Sequence, residues 1–268
     1  MTSRFHPTAT DARELEGKRA VVTGGSRGIG AAIVRNLLGS GAAVVTAARN
    51  PHGQTPSGAT FVEADLSTAD GVRVLADTAL DTLGGVDIIV NNAGGCRSFH
   101  SVLDLENDWQ YTMDVNFLAP VRLNAALVPS LRESGGGTIV HVSTTATIAA
   151  YPMLYHYAAA KSALETYAKG LAAELAADGI RVLSVCPGNV ETPASEAARR
   201  RIVEYFGGDP GSGDLDTLAE KWAAEIPLGR MGTSQDIADA VSFLVSPRAS
   251  WITGSNLVVD GGKTASLA

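Results

Sequence analysis

Seven short runs of apolar and β-branched residues, mostly separated by helical patterns, constrain the fold more than any other feature of the sequence. Runs such as VDIIV (86–90) and TIVHV (138–142) are nearly continuous in such residues, as expected for strands covered on both faces. Because parallel pairing requires long crossovers, the helices between the runs supply the connections. The predicted fold is an α/β doubly wound parallel seven-stranded sheet with helices on both faces, in a single domain. The predicted strands are 19–23, 42–47, 60–62, 86–90, 137–142, 182–185 and 256–259.

Length and composition indicate how the chain is divided. With 268 residues, 45% of them hydrophobic, the chain can bury one large core, and residues 15–268 are predicted to form it. Residues 1–14 are polar and without clear periodicity, so we interpret them as a flexible leader. No segment is apolar for long enough to act as a signal-peptide core or a membrane span. We therefore expect a cytoplasmic protein with no membrane partner.

Charge and cysteine content argue against two further classes of protein. The formal net charge is −7 and the chain has no basic tract, so nucleic acid is not expected as a partner. The two cysteines, Cys96 and Cys186, lie far apart without metal-ligand spacing. No metal site is predicted, and both cysteines are interpreted as reduced thiols.

A glycine-rich turn, TGGSRGIG (23–30), lies directly between the first predicted strand and the first predicted helix. Amide groups at a helix N-terminus bind phosphate, and glycines allow the backbone to approach it closely. The turn therefore predicts a site for the pyrophosphate of a dinucleotide. Its candidate residues are Gly24, Ser26, Arg27, Gly28, Ile29 and Gly30.

Further motifs follow this turn in a characteristic order. NNAG (91–94) comes after the fourth strand, Asn116 lies in the next helix, Tyr157 and Lys161 form YxxxK, and Pro187-Gly188 follows the sixth strand. With the TGxxxGxG spacing of the turn, this order resembles the short-chain dehydrogenase/reductase family, and the chain is similar to its ketoacyl-carrier-protein reductases. The resemblance implies hydride transfer between a nicotinamide and a carbonyl or secondary alcohol, without a metal. It also implies further cofactor contacts at Leu66, Asn92, Ala93, Gly94, Pro187, Gly188, Val190 and Thr192.

The end of the second strand indicates which nicotinamide cofactor is bound. A carboxylate there would bind the 2′-hydroxyl of the adenosine ribose, whereas a cation would accept a 2′-phosphate. By similarity, Ala48 occupies the position at which NAD-specific members of the family carry aspartate, and Arg49 follows it. Arg27 would add a second guanidinium, a group that suits phosphate. NADP is the predicted cofactor. The resemblance implies that Asp65 contacts the adenine, with a helix N-cap as its structural alternative.

Tyr157 and Lys161 are the candidate catalytic pair. Four residues apart in a helix, they share one face about one turn apart. An ammonium beside a phenol favours the phenolate and lowers a pKa of about 10, which suits general acid–base chemistry at a carbonyl oxygen. The resemblance implies that this tyrosine exchanges a proton with the substrate oxygen and that the lysine also binds the nicotinamide ribose. It further implies that Asn116 holds a helix irregularity and a water leading to the lysine.

The third catalytic group implied by the resemblance is a hydroxyl at the end of the fifth strand, usually from a serine. The commonest spacing, thirteen residues before Tyr157, reaches Thr144, and Ser143 lies one residue earlier. A threonine hydroxyl can perform the same chemistry. Because neighbouring strand residues face opposite sides, only one of the two is expected to reach the site. We favour Thr144 and retain Ser143 as the alternative.

The substrate end of the site carries weaker signals. Residues 193–227 are predicted to form a substrate loop, in which Arg199, Arg200 and Arg201 point different ways and are interpreted as a solvated face. Further candidate pocket residues follow the strand ends: Cys96, Arg97, Tyr151, Met153, Leu154 and Asn189.

These features together predict an NADP-dependent carbonyl or ketoacyl reductase that acts on a small molecule. The alternative is an NADP-binding sensor or scaffold protein without turnover. Similarity to the family also implies a homo-oligomer, a tetramer in preference to a dimer.

Overall fold

The structure is built on a seven-stranded sheet in which every strand pairs in parallel with its neighbours. The computed structural model describes residues 13–51, 55–95, 103, 109–149 and 154–265. In chain order the strands of these residues are β1 (Arg19–Thr23), β2 (Ala43–Ala48), β3 (Thr60–Glu63), β4 (Ile88–Asn91), β5 (Gly137–Val142), β6 (Ile180–Pro187), β7 (Val190–Glu191), β8 (Gly232–Thr233) and β9 (Asn256–Val259). All seven predicted strands are confirmed; β7 and β8 form a separate two-stranded pair that was not predicted.

Helices connect the strands on both sides of the sheet. They are α1 (Gly28–Gly39), α2 (Ala69–Leu83), α3 (Trp109–Met113), α4 (Ala119–Glu133), α5 (Tyr155–Leu175), α6 (Pro193–Tyr205), α7 (Asp214–Ala224) and α8 (Ser234–Val245). Local sequence fixes several ends: Thr68 caps α2 by accepting the Gly71 N–H, and Gly84 ends it at a left-handed φ of 67°.

The core consists of two apolar layers, one on each face of the sheet. Alternate residues of β1 enter different layers: Val21 packs on the side of α2, α4 and α5, whereas Ala20 and Val22 pack on the side of α1 and α8. All three are fully buried. This arrangement explains why the strand runs are continuously apolar and confirms the doubly wound architecture.

The order of the strands determines where a ligand can bind. The order is β3-β2-β1-β4-β5-β6-β9, so the chain leaves β1 in one direction and returns to its other side at β4. In open parallel sheets the crevice forms at such a reversal, beyond the carboxyl ends of the strands. The glycine-rich turn after β1 and the NNAG motif after β4 both lie at this point.

The predicted substrate loop contains two helices, α6 and α7. These helices are loosely attached to the rest of the protein: Val203 is buried in α6, and α7 has no buried residue. Among the described helices, none is long and apolar enough to cross a membrane.

Candidate active site

A cleft of about 650 Å³ opens beyond the carboxyl ends of the strands. It brings together every predicted catalytic and cofactor-binding residue except Asn116, which is buried beneath it. The predicted residues in its lining are Gly24, Ser26, Arg27, Gly28, Ile29, Gly30, Arg49, Asp65, Leu66, Asn92, Ala93, Gly94, Ser143, Thr144, Tyr157, Lys161, Pro187, Gly188, Val190 and Thr192. Leu154 and Asn189 also line it, whereas Cys96, Arg97, Tyr151 and Met153 lie outside the described residues.

The glycine-rich turn presents the N-terminus of α1 to the cleft. Arg27 is the N-cap residue, and its side chain makes no capping hydrogen bond. The first amides of α1 therefore have no partner within the helix and are available to an anion. Close packing holds the turn in place, because a Cβ on Gly30 would stand 2.1 Å from the Gly24 carbonyl oxygen. Gly24 itself has a left-handed φ of 72°.

Two arginines stand at the end of the cleft beside β2. Arg27 and Arg49 are both exposed and both line the cleft. Within the described part of the chain, neither guanidinium forms a salt bridge with an acid. Ala48, before Arg49, contributes no charge, so this end of the cleft is suited to an anionic group.

Asp65 lies next to this end and organises the turn after β3. Its carboxylate accepts hydrogen bonds from the Ser67 amide at 3.0 Å and the Ser67 hydroxyl at 2.8 Å. The N-cap of α2 is Thr68, so the alternative interpretation of Asp65 as a helix N-cap is wrong.

Asn116 lies in an irregular turn, as the resemblance implied. Residues Asp114–Leu118 form a π-helical turn between α3 and α4. The Asn116 side chain donates to the carbonyl oxygens of Gly95 at 2.7 Å and Thr112 at 2.8 Å, and it accepts the Gly95 N–H at 2.9 Å. A Cβ on Gly94 would stand 2.6 Å from Asn116 Oδ1 and 3.1 Å from Lys161 Nζ. The absence of a side chain at Gly94 therefore leaves room for both the Asn116 amide and the Lys161 ammonium.

Lys161 is buried at the floor of the cleft, with 2% of its surface exposed. Its Nζ donates to the Val142 carbonyl oxygen at 2.7 Å and lies 5.9 Å from the centre of the Tyr157 ring. Burial lowers the pKa of Lys161 to about 8, and neighbouring Cys186 and Glu165 oppose the fall. With a pKa near neutral pH, Lys161 can gain or lose its proton when the charge or polarity of its surroundings changes slightly.

The two candidate hydroxyls have different environments. Ser143 continues the hydrogen bonding of β5 to β6 and is buried, with its hydroxyl donating to Glu165 on α5. Thr144 follows in extended backbone and is only half-buried. Its hydroxyl accepts the Ala146 N–H at 3.2 Å, which still leaves the hydroxyl proton to donate. This geometry favours Thr144 as the group that faces a substrate.

The α6 and α7 segment closes the far end of the cleft. Trp222 lines the cleft, and the Arg199 guanidinium lies 5.9 Å from the centre of its ring. Arg200 and Arg201 are exposed, and Arg200 pairs with Glu196 at 3.7 Å. Arg199 points elsewhere and is half-buried, so the interpretation as a solvated face does not hold for this residue.

A polar pair in the same wall had no signal in the sequence. Lys263 Nζ lies 3.0 Å from Glu225 Oε2 and 3.3 Å from Asn189 Oδ1, and all three residues line the cleft. The lysine side chain is 13% exposed and the glutamate side chain 48%.

A row of buried polar residues lies behind the site, and two of its members, His141 and Ser184, were also missed. His141 on β5 pairs in register with Asn91 on β4 and Ser184 on β6, and all three are buried. Burial lowers the pKa of His141 to about 3, so its imidazole is neutral. His141 lies within an apolar strand run, so nothing in the sequence separates it from the other strand residues.

Comparison with known proteins shows the family to which the chain belongs. A family model described as enoyl-(acyl carrier protein) reductase matches residues 24–264. This match, together with the Rossmann-like fold, identifies an oxidoreductase that acts on alcohol and carbonyl groups. The chain belongs to the short-chain dehydrogenase/reductase family, whose members act on alcohol and carbonyl groups with NAD(P).

Relatives cover almost the whole chain. The 3-oxoacyl-(acyl-carrier-protein) reductase of Vibrio cholerae is 32% identical over 254 residues, 92% of this chain and 98% of that protein. Human dehydrogenase/reductase SDR family member 4 is 35% identical over 264 residues, 94% of this chain and 90% of that protein.

Among solved structures, L-sorbose reductase of Gluconobacter frateurii, complexed with NADPH and L-sorbose, matches with a TM-score of 0.86 and 30% identity. The match covers 96% of this chain and 100% of the reductase. Aldohexose dehydrogenase of Thermoplasma acidophilum matches with a TM-score of 0.86 and 28% identity, over 96% and 99% of the two chains.

Proposed function

We propose that this oxidoreductase is an NADP-dependent reductase of a small carbonyl compound, with Tyr157 as the proton donor. The observation that carries the choice of NADP is the pair of arginines, Arg27 and Arg49, which line one end of the cleft without acidic partners among the described residues. Two unpaired guanidiniums suit a 2′-phosphate, whereas NAD would leave both without a ligand. The NADPH complex of the related sorbose reductase is consistent with this choice.

The residues of the cleft fit the parts of such a cofactor. The uncapped N-terminus of α1 would receive the pyrophosphate, and Lys161 would bond the nicotinamide ribose. Thr192 would bond the carboxamide, and its hydroxyl already accepts the Ser195 N–H at 3.0 Å while keeping a proton to donate. The hydride that reaches the carbonyl carbon is supplied by the bound cofactor.

Reduction also requires a proton at the carbonyl oxygen. In the proposed mechanism the Thr144 hydroxyl donates a hydrogen bond to this oxygen, and the Tyr157 phenol transfers its proton to it. The Lys161 ammonium stabilises the phenolate that remains on Tyr157. The phenolate then recovers a proton from solvent through the cleft, which completes the cycle.

The far wall of the cleft suggests what kind of carbonyl compound fits. Lys263 and Glu225 together carry no net charge, yet they offer a hydrogen-bond donor and an acceptor within 3.0 Å of each other. Hydroxyl groups can bond to the donor and acceptor positions that this pair leaves open, whereas a plain alkyl chain would displace water from them without replacing its hydrogen bonds. We therefore expect hydroxylated ketones and aldehydes to be better substrates than simple alkyl ketones or long ketoacyl thioesters.

An absorbance assay with a panel of carbonyl compounds tests the proposal. Ketoses, hydroxyketones, alkyl ketones and 3-ketoacyl thioesters would each be offered with NADPH and with NADH. We expect turnover with NADPH and a kcat/KM at least tenfold above that with NADH for every accepted substrate. A larger kcat/KM with NADH would contradict the cofactor assignment, and NADPH binding without turnover across the panel would favour a sensor.

A further inference from the structure

Glu165 joins the parts of the candidate active site from behind. It lies on α5, one turn after Lys161, and is half-buried. Its Oε1 accepts hydrogen bonds from the hydroxyls of Ser143 and Thr147, the latter at 3.0 Å. Cys186 Sγ donates to the same oxygen at 3.5 Å.

The second carboxylate oxygen extends these contacts to the edge of the sheet. Oε2 accepts from Asn256 Nδ2 on β9 at 3.2 Å. One carboxylate is therefore bonded to side chains from the segment after β5, from β6 and from β9. A glutamate exposed on a helix is satisfied by water and requires no protein donor. Four side-chain donors to one carboxylate therefore indicate a role beyond the stability of α5.

These bonds restrain the segment that carries Thr144. Ser143 precedes Thr144 and Thr147 follows it, and both are held by Glu165 on the helix that also carries Tyr157. The position of the Thr144 hydroxyl relative to the Tyr157 phenol therefore depends on this carboxylate. A displacement of about 1 Å in such a geometry can reduce a rate by about a hundredfold.

The same carboxylate supplies the negative charge nearest to Lys161 along α5. Cys186 can oppose the fall of the Lys161 pKa only when it is ionised, and burial raises its own pKa to about 12, so it is a neutral thiol where Lys161 titrates. His141, which also interacts with Lys161, is neutral because burial lowers its pKa to about 3. The Tyr157 ring faces Lys161 from the side of the cleft. Among these neighbours, Glu165 is the only carboxylic acid, and its charge favours the ammonium form of Lys161.

We propose that Glu165 is a positioning residue of the active site, which holds the Thr144 segment against α5 and keeps Lys161 in its ammonium form. The kinetic part of this inference rests on the proposed reductase function, whereas the effect on the charge of Lys161 does not.

Titration of Lys161 by nuclear magnetic resonance tests the electrostatic role without substrate or cofactor. The chain has five lysines, Lys18, Lys161, Lys169, Lys221 and Lys263, so selectively labelled lysine Cε signals can be resolved and assigned by substitution. In Glu165→Gln we expect Lys161 to titrate about 1 pH unit lower than in the wild type. The matched control is Cys186→Ser, which keeps a donor to Glu165 and changes no charge, and should leave the titration of Lys161 unmoved. An unchanged titration in Glu165→Gln would overturn the proposal.

Enzyme kinetics test the positioning role and separate it from a merely structural one. In Glu165→Gln we expect kcat to fall about tenfold, KM to change less than twofold, and the alkaline limb of the pH–rate profile to move to lower pH with the titration. Glu165→Asp keeps the charge with a shorter reach, so it should lower kcat without moving the limb. Equal losses at all pH values in both variants would show a structural role only. If no carbonyl compound is reduced by the wild type, the reductase proposal fails while the titration still decides the role of Glu165.

Discussion

The two ends of the cleft are built in opposite ways. At the catalytic end, Lys161 is 2% exposed and Asn116 is fully buried, and both are fixed by hydrogen bonds to backbone carbonyls. At the opposite end the cleft is covered by the α6 and α7 segment, here called the lid. In this lid α7 has no buried residue, and Trp222 makes a cation–π contact with Arg199. Packing therefore fixes the reacting groups, whereas substitutions in the lid should have little effect on the stability of the fold.

This contrast leads to an ordered set of expectations. Substitutions at the buried end should affect kcat strongly, and those at the ribose end should alter the choice of cofactor. Substitutions in the lid should affect KM only mildly.

The largest of these effects is expected from Lys161→Met, which should lower kcat about a thousandfold, because the phenolate on Tyr157 loses its ammonium partner. The matched control is Lys169→Met, an exposed lysine on the same helix that donates to the Gly254 carbonyl oxygen. The measurement is steady-state NADPH oxidation with the best substrate. A kcat for Lys161→Met within tenfold of the wild type would break the contrast between the two ends.

The same variant should be more stable than the wild type at neutral pH. The folded protein loses the Lys161 proton near pH 8, whereas the unfolded chain keeps it up to the ordinary pKa of 10.5. Burying the ammonium therefore costs stability below pH 8, and this cost disappears as the pH rises towards 10.5. We expect Lys161→Met to raise the free energy of unfolding by about 2 kcal/mol at pH 7, after allowance for the lost bond to Val142. Denaturant unfolding should show this gap shrinking between pH 8 and 10.5.

Thr144→Val should lower kcat about a hundredfold, because it removes a hydrogen bond to the substrate oxygen in the transition state. Ser143→Ala serves as the comparison, since its hydroxyl is committed to Glu165, and should cost less than tenfold. Parallel kcat measurements decide between the two. A near-normal Thr144→Val with a severely impaired Ser143→Ala would assign the catalytic hydroxyl to Ser143.

Arg49→Asp should lower kcat/KM for NADPH about thirtyfold and raise it for NADH, because a carboxylate repels a 2′-phosphate and binds a 2′-hydroxyl. The control is Arg35→Asp, which makes the same charge change at an exposed position of α1 outside the cleft lining. The ratio of the two kcat/KM values is the measurement. An unaltered ratio in Arg49→Asp would exclude Arg49 from the cofactor site.

Trp222→Ala should have the smallest effect, raising KM for the substrate about fivefold while the Kd of NADPH stays unchanged. Trp222→Phe keeps an aromatic face for Arg199 and should recover most of the loss. Fluorescence titration with NADPH and steady-state kinetics together test this. A fall in kcat larger than the rise in KM would show that the lid takes part in fixing the reacting groups.

The sequence predicts the sheet and the nucleotide end of the cleft because their signals are local. Strands buried on both faces leave continuous apolar runs, and the glycine-rich turn lies within eight consecutive residues, 23–30. The strands β7 and β8 were missed because two residues are too few to show a period.

Pairings between distant residues leave no comparable pattern. The bond between Glu165 and Asn256 joins residues 91 apart, and that between Lys263 and Glu225 joins residues 38 apart. Only the spacing of Lys161 and Glu165 on one helix face could have indicated a relation between them.

The most direct test of the proposed chemistry is a single-turnover measurement on Tyr157→Phe. The variant keeps the aromatic ring beside Lys161 and removes only the hydroxyl that would donate the proton. We predict that it binds NADPH with a Kd within about threefold of the wild type and reduces the substrate at least a thousandfold more slowly. A rate within tenfold of the wild type would contradict the assignment of Tyr157 as the proton donor.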